Sequence, residues 1–269
     1  MPKLPLIIEV DALAEYLNNP NVRIIDLCGD DSYRQQHIPN ALHIDYTSLV
    51  SANPPVGGLL PDEHQFAELM GSLGIGNDTP VIAYDDEGGG KAARLLWTLH
   101  VFGHSNNSML NGGLAAWVLN GGEVNNAPSQ IQSTKFIANR DNNATADAQY
   151  ILQHLNDSDF KLLDARSLGE YEGSLVRSAK GGHIPGAINY EWTRAMDANQ
   201  LRKMRSKAEL QQELTELGFS PEQNIVTYCQ THHRSAYTWL MLRWLGYDKA
   251  KGYPGSWSDW GNRNDTPVE

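Results

Sequence analysis

The chemistry most plainly on offer in this chain is that of a reactive sulfur. The segment Tyr228-Cys229-Gln230-Thr231-His232-His233-Arg234-Ser235-Ala236 places a cysteine directly after a β-rich run, Ile225 to Tyr228. A helical pattern follows, expected to start near Arg234 or Ser235 and to run to Leu245, before Gly246. A short loop at a helix start can turn successive backbone N–H groups inward and form a cradle for an anion. The positive end of the helix dipole points the same way. Arg234 adds a fixed positive charge, and His232 and His233 add potential ones. Such surroundings lower a thiol pKa below its free value of ~8.5, so that the thiolate is populated near neutrality. A sulfur nucleophile needs that state.

Other chemistries compete for the same residues. Cys229 with His232 and His233 suggests a metal site, but a tetrahedral site wants four ligands, and Cys28 is far away in sequence. A cysteine protease needs a base and an orienting Asn or Asp from elsewhere, and no such pattern stands out. A phosphatase also cradles a tetrahedral anion over a thiolate, but its loop has one more residue between cysteine and arginine than the four here. The shorter loop makes a smaller cradle, better matched to sulfur than to phosphate. For each of the two cysteines, the ordinary alternative is a small buried hydrophobe.

The elements that must position this loop occur twice. His37-Ile38-Pro39-Asn40-Ala41-Leu42 returns as His183-Ile184-Pro185-Gly186-Ala187-Ile188, and Arg23-Ile24-Ile25-Asp26 returns as Lys161-Leu162-Leu163-Asp164. Val81-Ile82-Ala83-Tyr84-Asp85 matches Ile225-Val226-Thr227-Tyr228-Cys229, and Gly112-Gly113-Leu114-Ala115-Ala116-Trp117 matches Gly255-Ser256-Trp257-Ser258-Asp259-Trp260. Four matches in one order mean a duplicated domain. The expected division is residues 1–125, a polar linker over 126–143, and residues 144–269. Asp62 to Leu73 and Ser206 to Leu217 are amphipathic at helical spacing. Strands separated by helices imply an α/β fold, a mainly parallel sheet covered on both faces, with ligands at the carboxyl ends of the strands. Most of the seven tryptophans fall in helical patterns, where core packing is their expected role.

Bulk properties narrow the partners. With 41% hydrophobic and 20% charged residues the composition is that of a globular protein. No apolar run approaches the ~20 residues needed to cross a bilayer. The start, Met1-Pro2-Lys3-Leu4-Pro5, lacks the features of a secretory signal, so the expected location is cytoplasmic. A net charge of −11 without a basic run argues against nucleic acid or an anionic membrane as partner. An anion pocket must therefore be made locally.

At this point the chain resembles the rhodanese superfamily over nearly its whole length. The HIPNA and HIPGA elements and the closing GSWSDW resemble the family's signatures, and the CQTHHRS loop is similar to that of a bacterial subgroup of tandem-domain thiosulfate sulfurtransferases. The resemblance implies two tandem rhodanese-like domains, each a mainly parallel five-stranded sheet with helices on both faces, of which only the C-terminal one is catalytic. It implies that Cys229 attacks the outer sulfur of thiosulfate, holds it as a persulfide, and yields it to a thiol, cyanide or protein acceptor. On this reading there is no cofactor and no metal; the donor is a small anionic sulfur compound, and a monomer is expected. Arg234 is the expected donor-binding cation, with Gln230 and Thr231 contributing backbone N–H groups. His232, His233 and Ser235 complete the substrate loop. Asp164 and Arg166 are expected to support that loop, and Trp192 to line the pocket or pack in the core. The first repeat has Asp85 in place of Cys229 and continues Asp86-Glu87-Gly88-Gly89-Gly90-Lys91, a loop read as one residue longer. Its carboxylates would repel an anionic donor, leaving that half to pack against the other and shape the site's rim. Cys28, near the position of Arg166, is read as structural.

Departures from the family bear on the substrate. Vertebrate rhodaneses and mercaptopyruvate enzymes carry a substrate-binding arginine where this chain has Glu170, and the mercaptopyruvate loop reads Cys-Gly-Ser-Gly. Both differences count against 3-mercaptopyruvate, while Arg177 lies near a second arginine of that family. A persulfide carrier serving a partner protein and a catalytically dead interaction domain are the remaining readings.

Overall fold

In the computed structural model, residues 3–269 are described. The first repeat runs β1 (Ile7–Ile8), α1 (Val10–Ala14), β2 (Arg23–Asp26), α2 (Asp30–Gln35), β3 (Ala41–His43), a hairpin of β4 (Ser51–Asn53) and β5 (Val56–Leu59), α3 (Glu63–Ser72), β6 (Val81–Tyr84), α4 (Gly90–Val101), β7 (Asn107–Leu110) and α5 (Gly113–Leu119). The second runs α6 (Ala148–His154), β8 (Phe160–Asp164), α7 (Leu168–Tyr171), β9 (Ile188–Asn189), a short pair of β10 (Met196–Asp197) and β11 (Lys203–Met204), α8 (Lys207–Glu216), β12 (Asn224–Tyr228), α9 (Arg234–Trp244), β13 (Lys251–Gly252) and α10 (Ser256–Trp260). Residues 126–141 form neither helix nor strand.

These elements fold into two compact units, neither a contiguous stretch. One contains the chain up to Leu49, Pro61–Asp141 and Asp197–Met204; the other contains Val50–Leu60, Asn142–Met196 and Arg205–Glu269. In the first, five parallel strands take the order β1-β7-β6-β2-β3. In the second, the order β13-β12-β8-β9 gives four parallel strands rather than the expected five. The fifth position is reduced to one parallel bridge, Thr145 to Gly252, with Ala146 N–H donating to the Gly252 carbonyl at 2.9 Å. The cause is local. Ile7 and Ile8 bring two buried apolar side chains to β1, whereas Thr145 and Ala146 bring little, and Asp147 at once caps α6 by accepting from Tyr150 N–H.

The amphipathic stretches are helices with the expected ends. Asp62 caps α3, accepting from His64 and Gln65 N–H, and Ser206 with Glu209 forms a capping box at α8. Their inward faces are Phe66 and Met70 in one and Leu210 and Leu214 in the other. The helices that follow β6 and β12 differ in kind. Ten of the twelve residues of α4 and eight of the eleven of α9 are buried, so these helices run through the core rather than over it.

The repeated HIPNA and HIPGA motifs serve the fold. In one unit the His37 ring stacks on Tyr33 at 4.0 Å and Ile38 N–H donates to the buried Tyr84 hydroxyl at 3.0 Å. In the other, His183 stacks on Tyr171 at 3.7 Å and Ile184 N–H donates to Tyr228 at 3.2 Å. Each motif thus ties a loop to a central strand of its own sheet, β6 in one unit and β12 in the other. No described helix is long and apolar enough to cross a membrane.

Candidate active site

Strand β12 is wholly buried from Ile225 to Tyr228 and delivers Cys229 at its carboxyl end, 1% exposed. The next residues are pinned from α10: Cys229 N–H donates to Ser256 Oγ at 3.2 Å, Trp257 N–H to the Cys229 carbonyl at 2.9 Å, and Ser258 N–H to the Gln230 carbonyl at 2.9 Å. His232 then takes a positive φ of 54°, which turns the loop back towards the start of α9 at Arg234. Such a reversal ahead of a helix directs backbone N–H groups into one concavity.

That concavity acts on the thiol. Burial opposes ionisation of Cys229, yet the Arg234 guanidinium, the hydroxyl and N–H of Ser235 and the Thr231 N–H outweigh it and hold the thiol below its ordinary range. Ser235 Oγ also lies 2.7 Å from His232 Nδ1. Ser235 Oγ thus links the His232 ring to the surroundings of the sulfur. His232 is fully buried, whereas His233 is half-buried with its ring 5.8 Å from Trp192.

Arg234 is held more firmly than its sequence position implies. Its guanidinium forms a two-pronged ion pair with Glu170 (Nη1–Oε2 2.6 Å, Nη2–Oε1 2.9 Å). Glu170 is only 2% exposed and closes a capping box with Ser167 at α7, and Arg177 Nε approaches it at 3.2 Å. Although burial works against its charge, Arg234 and Ser167 hold the Glu170 carboxyl down to about 2. The expected donor-binding fork of Arg234 is thus occupied by Glu170, and its charge reaches Cys229 through space.

The remaining candidates fall into two groups. Asp164 and Arg166 are fully buried, joined by Nε contacts of 3.0 Å to both carboxylate oxygens and a 2.6 Å Nη2 contact. The guanidinium also donates to the Gly182 carbonyl and lies 4.3 Å from the Trp257 ring and 5.6 Å from the Tyr228 ring. This pair braces β12 and α10 from within. Trp192 packs edge-on against Tyr237 of α9 at 5.8 Å, beside His233 at the loop rather than deep in the core. Gln230 reaches sideways, donating from Nε2 to Ser178 Oγ at 3.2 Å.

Sequence reasoning missed several supports. Gly57 and Gly58 of β5 belong to the same compact unit as the loop, and Gly57 N–H donates to Ser258 Oγ at 3.0 Å. A Cβ on Gly58, whose φ is +68°, would lie 2.0 Å from the Thr231 carbonyl oxygen. Only glycine permits that approach. Ser256 and Ser258 are visible in the sequence only as part of a tryptophan-bearing repeat; Ser256 anchors the loop through its hydroxyl, and Ser258 joins it to β5, its N–H bonded to Gln230 and its hydroxyl to Gly57. Among the described residues, no group of three or more His, Cys, Asp or Glu is placed to hold a metal ion.

The first repeat supplies an internal comparison. Helices α4 and α9 start the same number of residues after Asp85 and Cys229, so the two loops are equal in length; the apparent extra residue came from matching Arg234 to Lys91 instead of Gly90. Asp85 Oδ1 accepts from Glu87 and Gly89 N–H (3.0 and 2.8 Å), and Oδ2 from Lys91 and Ala92 N–H (2.9 and 3.0 Å). Burial raises this carboxyl above its ordinary range although the N–H bonds oppose it. Both oxygens accept twice from the loop's own N–H groups. The first cradle is therefore filled by its own side chain, a more direct block than repulsion of a donor. Cys28 occupies the position of Arg166: its N–H donates to Asp26 at 2.7 Å, as that of Arg166 does to Asp164 at 2.9 Å. Burial first, then Asp26 and Asp86, raise the Cys28 thiol far above its ordinary range.

Known proteins resemble this chain over nearly its whole length. The chain is 41% identical to a thiosulfate sulfurtransferase of Pseudomonas aeruginosa over 99% of its length and 97% of the relative's. It is 42% identical to a thiosulfate sulfurtransferase of Azotobacter vinelandii, with coverage of 99% and 97%. Among solved structures, Escherichia coli SseA, described as a 3-mercaptopyruvate sulfotransferase, superposes with a TM-score of 0.82 at 27% identity, covering 94% of this chain and 99% of that one. A rhodanese-like domain matches twice, over residues 9–120 and 147–263, and together these segments take in most of the chain. With its duplicated fold and full-length relatives, the chain belongs to the rhodanese family.

Proposed function

We propose that this protein is a thiosulfate sulfurtransferase that carries sulfur on Cys229. The observation that carries this reading is the cradle itself. The second repeat presents a buried thiol, drawn towards its thiolate, in the backbone loop that in the first repeat binds a carboxylate through four N–H groups. The Cys229 thiolate attacks the outer sulfur of thiosulfate, and the S–S bond to the sulfonate breaks. Sulfite leaves with the bonding electron pair, and Cys229 is left as an anionic persulfide. In the second step an acceptor nucleophile attacks the terminal sulfur and the cysteine thiolate is restored; with cyanide the product is thiocyanate. Dividing the transfer in this way predicts ping-pong kinetics.

Each loop residue has a part in this scheme. Backbone N–H groups of Thr231 and Ser235 stand where Glu87 and Lys91 stand around Asp85, and they steady the sulfur. Arg234 and the Ser235 hydroxyl favour its anionic form, with His232 orienting that hydroxyl. Gln230 fixes the loop's flank through Ser178. His233 and Trp192 border the site, and Asp164 with Arg166 keeps β12 in place. The sulfur rides on the protein, so the reading needs no cofactor. One observation favours mercaptopyruvate as a second donor: Arg177, half-exposed beside Glu170, is a cation that a carboxylate could meet.

The test is thiosulfate-to-cyanide transfer, followed as thiocyanate, with Cys229→Ala beside the wild type and mercaptopyruvate as alternative donor. Thiosulfate turnover that disappears in the variant is expected. Faster turnover with mercaptopyruvate would reverse the donor assignment. Absence of turnover with both donors in folded protein would remove the enzymatic reading in favour of a persulfide carrier for a protein partner.

A further inference from the structure

We infer that Glu170 is a positioning residue for the sulfur chemistry: its buried carboxylate fixes the Arg234 guanidinium beside the Cys229 loop and keeps that charge with the sulfur instead of leaving it free to follow the donor. The geometry is specific. Two parallel contacts of 2.6 and 2.9 Å hold the guanidinium plane, and Ser167 Oγ, donating to Glu170 Oε2 at 2.9 Å, holds the carboxylate. A bidentate pair of this kind fixes direction as well as distance.

The duplicated fold separates this role from a structural one. Aligned through Asp164 and Asp26, Glu170 corresponds to Ser32; aligned through Cys229 and Asp85, Arg234 corresponds to Gly90. Much of the surrounding framework is common to both halves. Tyr33 and Tyr171 each donate a hydroxyl to a carbonyl on the neighbouring strand side, Ala41 or Ala187, at 3.1 and 2.8 Å. Leu27 and Ala165 N–H donate to the Tyr84 and Tyr228 carbonyls, both at 2.9 Å. The same fold therefore stands without the Glu–Arg pair, and acid, base and thiol are lost together in the half that has no nucleophile. A pair needed for folding would have no reason to follow the thiol.

The other charges around these groups are accounted for. Asp164 acts on Arg234 but is already bonded to Arg166, and Arg177 is the second cation at Glu170. For Cys229, Arg234 leads the influences that favour the thiolate. Loosening the guanidinium should thus cost the thiolate more than removing the Glu170 charge returns to it.

This inference rests on the proposed thiolate role of Cys229, and its test reads the thiol directly, without turnover. The rate of Cys229 alkylation by iodoacetamide is followed against pH in the wild type, Glu170→Gln, Arg234→Lys and the double variant; Cys28, buried with a raised pKa, is a silent background. Glutamine still completes the capping box, so the fold is retained. Expected is a rise of the alkylation midpoint by about 0.5–1 pH unit in each single variant, with no further rise in the double. Ser206→Ala, which weakens the corresponding capping box of α8 and touches neither Glu170 nor Arg234, should lower the melting temperature without moving the midpoint. An unchanged or lower midpoint in Glu170→Gln, or additive shifts in the double variant, would overturn the assignment. Thiosulfate turnover with Cys229→Ala tests the underlying sulfur-transfer reading separately.

Discussion

Alanine at Gly58 should inactivate the protein from outside the reacting loop, whereas alanine at its neighbour Gly57 should not. At Gly58 the φ of +68° is already unfavourable for any side chain, at about 1 kcal/mol. The larger effect is steric. The new Cβ would stand 2.0 Å from the Thr231 carbonyl oxygen and 2.7 Å from Thr231 Cβ. Restoring van der Waals separation requires β5 and the loop to part by about 1 Å or more. Thr231 is one of the residues whose N–H steadies the Cys229 sulfur, so the displacement falls on the cradle itself. A misplacement of about 1 Å at a reacting centre costs on the order of 100-fold in rate. At Gly57, by contrast, the Cβ would meet only Thr231 Cγ2 at 3.4 Å, an ordinary contact, and no positive φ stands in the way. The assay is kcat/KM for thiosulfate-to-cyanide transfer in both variants, with thermal unfolding to show that each remains folded. Gly58→Ala with full activity, or Gly57→Ala equally impaired, would refute the argument that this approach sets the loop.

Two further outcomes follow from the buried charges. Arg166→Met leaves Asp164 fully buried without its cation, and chemical denaturation should show a loss of about 3–5 kcal/mol; a loss below about 1 kcal/mol would mean that Asp164 is not held as an ion. The Glu170 carboxyl, at about 2 against an ordinary 4.5, gives stability that is fully present above 4.5 and lost as pH falls towards 2. Melting temperature should therefore fall more steeply over that window in the wild type than in Glu170→Gln, and parallel curves would remove the linkage.

Contrasts between particular residues show what was legible in the sequence. Local signals were reliable: Asp62 and Ser206 cap their helices, and Cys229 and Asp85 directly follow corresponding strands, because capping residues and β-rich runs act within a few positions. Long-range pairings were not. Glu170 could be recognised as a departure from a family arginine, but its spacing from Arg234 carries no sign that the two side chains meet. The contact of Gly58 with Thr231 was equally hidden, since nothing in a hairpin's sequence names the loop it will touch. The loop comparison failed for another reason. Matching charge to charge, Lys91 to Arg234, shifted the register by one, whereas the backbone sets it by where the helix begins. The fifth strand of the second sheet was expected from the family and is reduced because Thr145 and Ala146 lack the apolar side chains that hold Ile7 and Ile8.

The two cradles together assign different tasks to backbone and side chains. In the first, a carboxylate is held by four N–H groups with glycine, not arginine, at the position of Arg234, inside a chain of net charge −11. The peptide dipoles of such a loop thus converge on a carboxyl group, with the Lys91 ammonium as the nearby cation. In the second cradle the N–H groups of Thr231 and Ser235 are joined by the charge of Arg234. What arginine adds there is a charge close to an ionisable atom, and the effect of a charge on a pKa depends on its position. A guanidinium on a flexible stem supplies that effect only if its location is fixed, and Glu170 fixes it at the expense of cancelling much of its field at longer range. On the proposed mechanism the backbone steadies the sulfur, Arg234 and Ser235 favour its anionic form, and the buried Glu170 carboxylate keeps the guanidinium in the one place where its charge has that effect.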